Sequence, residues 1–239
     1  MNRHNEILLF SGGVDSVIAY FYLNKPPLLH INTKSKYSER EYSCMLKFDG
    51  NVYKDGLPKI YTYNIKLSHF EQLDSNIPAR NLLLLTIGSQ YADTVYLVAQ
   101  RGEDRGPDRC GSFFKRVSQI LTDCHQRKIV CDQVFPSKTK QDMVSWYLKQ
   151  NLPIEYLLDA YSCYSGYEKP CSTCPACFRK FVGLSYNNIE GLENIYDISK
   201  LMNSETTNNY IKKMLHNDLK YDKKRTKQTL SVIRKYRKL

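Results

Sequence analysis

At 239 residues the chain can bury one substantial core, and its composition (42% hydrophobic, 25% charged) is that of a soluble globular protein. No apolar run approaches the roughly 20 residues needed to cross a bilayer. Met1–Glu6 runs straight into an apolar strand, which leaves no room for a signal segment, so a cytoplasmic location is expected. A net charge of +11 is a real excess but unevenly spread, and eight cysteines in a cytosolic chain argue against a disulfide framework.

Ile7–Phe10 reads as a short buried strand. It runs into Ser11-Gly12-Gly13-Val14-Asp15-Ser16, and Val17–Phe21 then starts a helix. Adjacent glycines let successive N–H groups close on an anion, and the helix points its positive end at the same place. The turn is built to hold phosphate, with Asp15 placed to hold the accompanying magnesium. It is neither a Walker loop nor a Gly-x-Gly-x-x-Gly turn. It resembles the pyrophosphate loop of the N-type ATP pyrophosphatases, enzymes that cleave ATP between its α and β phosphates.

Further strands are expected at Leu28–Asn32, Ile60–Ile65, Thr94–Ala99 and Lys128–Phe135. Helices are expected at Asn81–Asp93, Ser112–Arg127 and Gln141–Gln150, the last turning Met143, Val144, Trp146 and Tyr147 inward. Lys34–Asp55 is polar and weakly patterned, and reads either as a flap over a nucleotide or as plain surface. Strand–helix alternation implies an α/β fold, a mostly parallel sheet with helices on both faces. Ligands bind such sheets beyond the carboxyl ends of the strands, where the glycine loop sits.

Four of the cysteines, Cys163, Cys171, Cys174 and Cys177, fall within fifteen residues. Four thiolates on one loop describe a structural zinc site. An iron–sulfur cluster or a redox pair could use similar spacing. Toward the C-terminus, eleven basic residues from Lys212 to Lys238 meet only Asp218 and Asp222. This run reads as the solvated face of terminal helices, with Ile211, Leu215 and Leu219 at helical spacing; phosphate contact with nucleic acid is the less favoured reading. On the solvated reading, deleting Thr226–Leu239 should leave activity on a small molecule nearly unchanged.

Together the loop and the cysteine segment resemble the 7-cyano-7-deazaguanine synthases, over a stretch reaching from the first strand to about Leu184. Ile77-Pro78-Ala79-Arg80-Asn81 is similar to the Val-Pro-Gly-Arg-Asn that opens a helix in that family. Ser162–Gly166 with the three-cysteine loop and Arg179 is similar to its zinc segment, and Lys140 matches a lysine before a helix. The resemblance implies an adenine nucleotide alpha hydrolase-like fold with a zinc knuckle and C-terminal helices. It implies three regions: an ATP-pyrophosphatase part over residues 1–160, the zinc segment over 161–185 and a basic helical region over 186–239 packed on the same unit. The implied reaction adenylates 7-carboxy-7-deazaguanine, and ammonia then gives the amide and a second ATP the nitrile. ATP, Mg2+ and Zn2+ are the implied cofactors, and a homodimer is compatible. Ser11, Gly12, Gly13 and Ser16 would cradle phosphates, Asp15 the metal. Arg80 and Lys140 would contact phosphate or acyl-adenylate, and Asp108 would lie at the substrate end. One segment departs from the family: its Pro-Asp-Cys-Arg-x-Glu-Phe is here Pro107-Asp108-Arg109-Cys110-Gly111-Ser112-Phe113, which lacks the glutamate. That departure leaves room for another deazapurine or a macromolecular acceptor, while the basic tail and the cysteines motivate a tRNA-modifying activity as the second reading.

Overall fold

The computed structural model describes residues 3–53, 60–73, 76–101, 107–216 and 221–237. The chain runs β1 (His4–Leu9), α1 (Val14–Tyr22), β2 (Leu28–Asn32), α2 (Ser38–Tyr53), β3 (Tyr61–Asn64), α3 (Arg80–Gly88), β4 (Ala92–Val98), α4 (Gly111–His125) and β5 (Val130–Val134). It continues through α5 (Lys140–Lys149), α6 (Glu155–Asp159), α7 (Pro175–Tyr186), α8 (Leu192–Ile195), α9 (Ile198–Asn203), α10 (Glu205–Leu215) and α11 (Lys223–Arg237). The five strands form one sheet in the order β3-β2-β1-β4-β5, and every described pair is parallel. Leu8 pairs with Leu28 on one side and Tyr96 on the other, so β1 is central. A central parallel strand is buried on both faces, which is why its sequence is a continuous apolar run and does not alternate.

Helices cover both faces. α3 and α4 press Leu85, Phe114, Val117 and Leu121 onto Ile7, Leu29 and Val95. The opposite face is a larger core in which α1, α2, α5, α7 and α11 meet, drawing together Phe10, Phe48, Tyr147, Phe181 and Ile233. Among the described residues no helix is long and apolar enough to cross a membrane.

Three expectations change. The helix expected at Asn81–Asp93 ends at Gly88, and Ala92 and Asp93 already belong to β4, where Asp93 accepts from Arg3 and Arg127. The weakly patterned stretch after β2 is the helix α2, neither a flap nor bare surface; the end of that stretch, residues 54–55, lies outside the described residues. Its inner face rests on a few large side chains, Tyr37 just before it and Met45 and Phe48 within it, all buried. Sparse anchors of this kind give little periodic signal.

The third change concerns the basic tail. Lys223, Lys227, Arg234 and Lys235 are solvated as expected, but the other side of α11 buries Gln228, Thr229, Val232 and Ile233. Thr139 donates to Gln228 (2.8 Å), Gln228 to Asp142 (2.9 Å), and Tyr236 packs against Phe181 at 5.2 Å. On α10, Leu215 is exposed and Met214 takes the core position. Asp218, Leu219, Lys220 and Lys238 lie outside the described residues. Deleting Thr226–Leu239 would therefore strip the core and not merely trim a solvated face. Ile233→Ala alone should lower stability by about 2–5 kcal/mol, the usual cost of such a cavity, read as an earlier urea midpoint at unchanged slope.

Candidate active site and four-cysteine cluster

Beyond β1 the backbone turns at Gly12, whose φ of +74° lies in the left-handed region. A Cβ there would stand 3.0 Å from the Glu41 carbonyl oxygen, so both conformation and space require glycine. Gly13 precedes α1 with no side chain capping the helix, which leaves first-turn N–H groups for an anion. The hydroxyls are fixed from within the loop: Ser16 Oγ donates to the Gly13 carbonyl (2.9 Å), and Ser11 Oγ accepts from the Gly13 N–H (3.3 Å).

Asp15, in the first turn of α1, forms an ion pair with Lys140, the first residue of α5. Thr139 and Asp142 close a reciprocal cap on α5 and so fix where Lys140 begins. The lysine stem runs over α7 at Gly183, where a Cβ would come within 2.7 Å of Lys140 Cγ. Gly183 is the groove that lets Lys140 reach the loop.

These groups open into a cavity of about 270 Å³ at the carboxyl ends of β1, β2 and β4. Sheet order places it at the switch point, since β1 leads on one side to β2 and on the other meets β4. Ser11, Gly13, Asp15, Ser16, Arg80 and Lys140 all line it, as do Tyr37, Glu41, Arg109, Tyr161, Tyr164 and Arg179. Gly12 forms the turn without lining the cavity. Four cations (Arg80, Arg109, Lys140, Arg179) face two carboxylates (Asp15, Glu41), so the described wall carries a positive excess suited to polyphosphate.

Arg80 Nη1 donates to Tyr37 OH (2.9 Å), Arg179 Nη2 donates to Tyr164 OH (2.8 Å), and the two tyrosine rings lie 5.7 Å apart. This chain of contacts joins the start of α2 and α3 to the cysteine segment and α7 across the cavity. Burial raises the Tyr37 hydroxyl pKa despite the neighbouring Arg80 cation. Burial also pushes the Glu41 carboxyl up to about 7, against the opposing pull of Arg80.

Asp108 stands apart from the cavity wall. Its carboxylate accepts from Asn81 Nδ2 (2.9 Å), while its neighbour Arg109 reaches the wall. Ser112, where the resemblance expects a glutamate, is exposed at the start of α4 within 3.1 Å of the Cys110 thiol. Tyr37 and Glu41 did not emerge from the sequence. Their spacing of four, which sets the residue entering a helix above one in its first turn, was the signal that could have found them.

The four thiols of Cys163, Cys171, Cys174 and Cys177 lie within 4.8 Å of one another. Cys171 and Cys177 are 3.9 Å apart and Cys163 and Cys174 4.0 Å. Sulfurs at the corners of a tetrahedron about zinc would be separated by roughly 3.8 Å, given Zn–S bonds of about 2.3 Å. The residues thus fit a closed four-thiolate metal site. Backbone N–H groups of Ser165 and Cys171 point at Cys163 Sγ (3.4 and 3.3 Å), and that of Cys177 at Cys174 Sγ (3.4 Å), as outer-shell donors do around bound sulfur. The cluster adjoins the cavity, since Cys163 lines it and the Tyr161 N–H donates to the Gly12 carbonyl (3.2 Å).

The family model described as "Queuosine biosynthesis protein QueC" matches residues 59–188, more than half of the 239 residues. The stretch carries Arg80, Asp108, Lys140 and all four clustered cysteines, and leaves the loop at residues 11–16 outside. The chain is similar to a 7-cyano-7-deazaguanine synthase of Pseudoalteromonas atlantica, 29% identical over 120 residues, covering 48% of this chain and 54% of the relative. A protein of the same name from Sulfurihydrogenibium sp. is 24% identical over 211 residues, covering 74% of this chain and 92% of the relative. One from Methanosarcina mazei is 27% identical over 110 residues, covering 44% and 46%. The chain thus spans about half the length of two of these relatives and nearly all of the third. With more than half its length matched, from β3 through the cysteine cluster and α7, the chain belongs to the queuosine biosynthesis protein QueC family.

Proposed function

We propose that the protein is an ATP-dependent carbon–nitrogen ligase that adenylates the carboxylate of 7-carboxy-7-deazaguanine or a close relative. Ammonia then displaces AMP to give the amide, and a second ATP carries the amide to the nitrile. The observation that supports this reading most is the meeting of an uncapped helix N-terminus, Asp15 and four cations in one cavity at the switch point of a parallel sheet. The family relationship supports the same chemistry, because the relatives bear the name of the nitrile-forming synthase.

In this reading the Ser11–Ser16 loop and α1 receive the β,γ-phosphates through backbone N–H groups and hydroxyls. Asp15 and Ser16 are the groups that would hold Mg2+, which supplies charge neutralisation at the phosphates when bound. Lys140 and Arg80 flank the loop and stabilise negative charge as pyrophosphate separates. Tyr37 and Tyr164 offer a flat aromatic flank to a planar heterocycle. Asp108 acts at one remove, fixing Asn81 beside the wall that Arg109 completes. The four cysteines hold Zn2+ as a structural ion that ties the Tyr161–Tyr164 wall to α7.

Incubation with ATP, Mg2+, ammonia and the carboxy-deazapurine should yield AMP, pyrophosphate and, by mass spectrometry, the nitrile. ATP turnover without nitrile would reject the acceptor and spare the ATP chemistry. Asp15→Ala should abolish AMP release while the thermal midpoint moves by only a few degrees, since its pairing with Lys140 is partly solvated. Comparable turnover in variant and parent would mean that the metal is held elsewhere. Cys174→Ser should lower both the zinc content, from one ion per chain, and the melting temperature. Retained zinc and melting temperature with lost turnover would move the cluster into the chemistry.

A further inference from the structure

Glu41 is the wall residue that the loop, the cations and the cysteine cluster do not account for. It lies one turn into α2, its carbonyl oxygen against Gly12, and its carboxylate opens on the cavity. No hydrogen bond to this carboxylate is formed among the described residues. Asp15, the other carboxylate on the wall, is engaged by Lys140. The other charged and titratable groups on this part of the wall are phenols and cations. Arg80 acts on it from α3, Tyr37 lies in the preceding turn, and Arg109, Lys140, Tyr161, Tyr164 and Arg179 line the same cavity. His30, a neutral base on the same wall, commits Nδ1 to the Phe10 carbonyl (3.0 Å), and its Nε2 is shut away from solvent.

The proposed reaction needs a proton acceptor beside nitrogen in both halves. When ammonia adds to the acyl-adenylate carbon and the C–O bond to AMP breaks, one N–H proton must leave to give the neutral amide. When the amide oxygen has been adenylated and its C–O bond to AMP breaks, both remaining N–H protons must leave to give the nitrile. Resting on the function proposed above, we propose that the Glu41 carboxylate accepts these protons, one at a time, with release to solvent between steps. A carboxyl held near neutrality by burial is well matched to this task. Arg80 beside it keeps a usable fraction ionised, and the Glu41 carbonyl packed against Gly12 fixes α2 beside the loop, so the acceptor stands beside the adenylate.

The test separates adenylation from nitrogen chemistry in Glu41→Gln, a substitution of the same shape. Acid-dependent exchange of pyrophosphate into ATP should persist within a few-fold. Hydroxylamine, unprotonated at neutral pH and more reactive than ammonia, should still trap hydroxamate. Amide formation from ammonia should fall by about 100-fold or more, and nitrile formation from the supplied amide should fall similarly. At constant free NH3 concentration the parent's amide rate should drop as pH falls through about 7, while the glutamine variant should stay flat. Glu41→Asp, which keeps the carboxylate, should restore part of the rate and the pH dependence, whether or not the glutamine variant folds well. Amide formation within about three-fold of the parent would overturn the proposal. Equal losses of exchange, hydroxamate and amide would overturn it too, assigning Glu41 to nucleotide binding. No acid-dependent exchange in the parent would bring down the ligase reading itself, a result distinguishable from both.

Discussion

The structure turns on the close packing around Gly12. Its left-handed backbone, the Glu41 carbonyl pressed against it and the Tyr161 N–H bonded to its own carbonyl bring three distant segments into contact. The glycine loop, the start of α2 and the approach to the cysteine cluster thereby become walls of one cavity. A side chain at that position would have to push α2 outward, carrying Tyr37 and Glu41 away from Arg80. Most of the site's geometry follows from the absence of one Cβ atom.

A second set of contacts fixes the far wall. Lys180 is buried in α7 and donates to the carbonyls of Leu158 and Ala160, closing α6 against α7 ahead of the cysteine cluster. Burial lowers its pKa to about 8. The net charge of +11 is therefore not spread passively over the surface. Part of it is spent inside the fold, part converges on the cavity, and part remains on the outer face of α11. Only the last of these behaves as a screened, solvated charge array.

The C-terminal helices serve the site as well as the core. α11 caps the region where α5 and α7 meet, through Gln228 on Thr139 and Tyr236 against Phe181. Thr139 is the residue that caps α5, and Lys140 follows it directly, so the basic tail helps set the position of a cavity lysine. The stretch that the family model matches ends just past α7, and α11, the packing partner of α7, lies beyond it.

Much of this was legible in the residues themselves. Continuous apolar strands alternating with helices specify a parallel sheet, because strands buried on both faces leave no polar positions, and two adjacent glycines specify the tight turn between β1 and α1. Four cysteines in fifteen residues specify a shared site, because short spacers keep the sulfurs within reach of one another. What lay beyond local pattern was decided in three dimensions. α2 was illegible because three large side chains anchor it in place of a regular stripe, and with it went Tyr37 and Glu41. Leu215 followed the helical spacing and is exposed, while Val232 and Ile233, embedded among lysines and arginines, are core. Asp108 matched a motif yet stands behind the wall that Arg109 forms. In each case local periodicity states which residues share a face, and only the packing of distant elements decides which face is covered and which side chains reach the cavity.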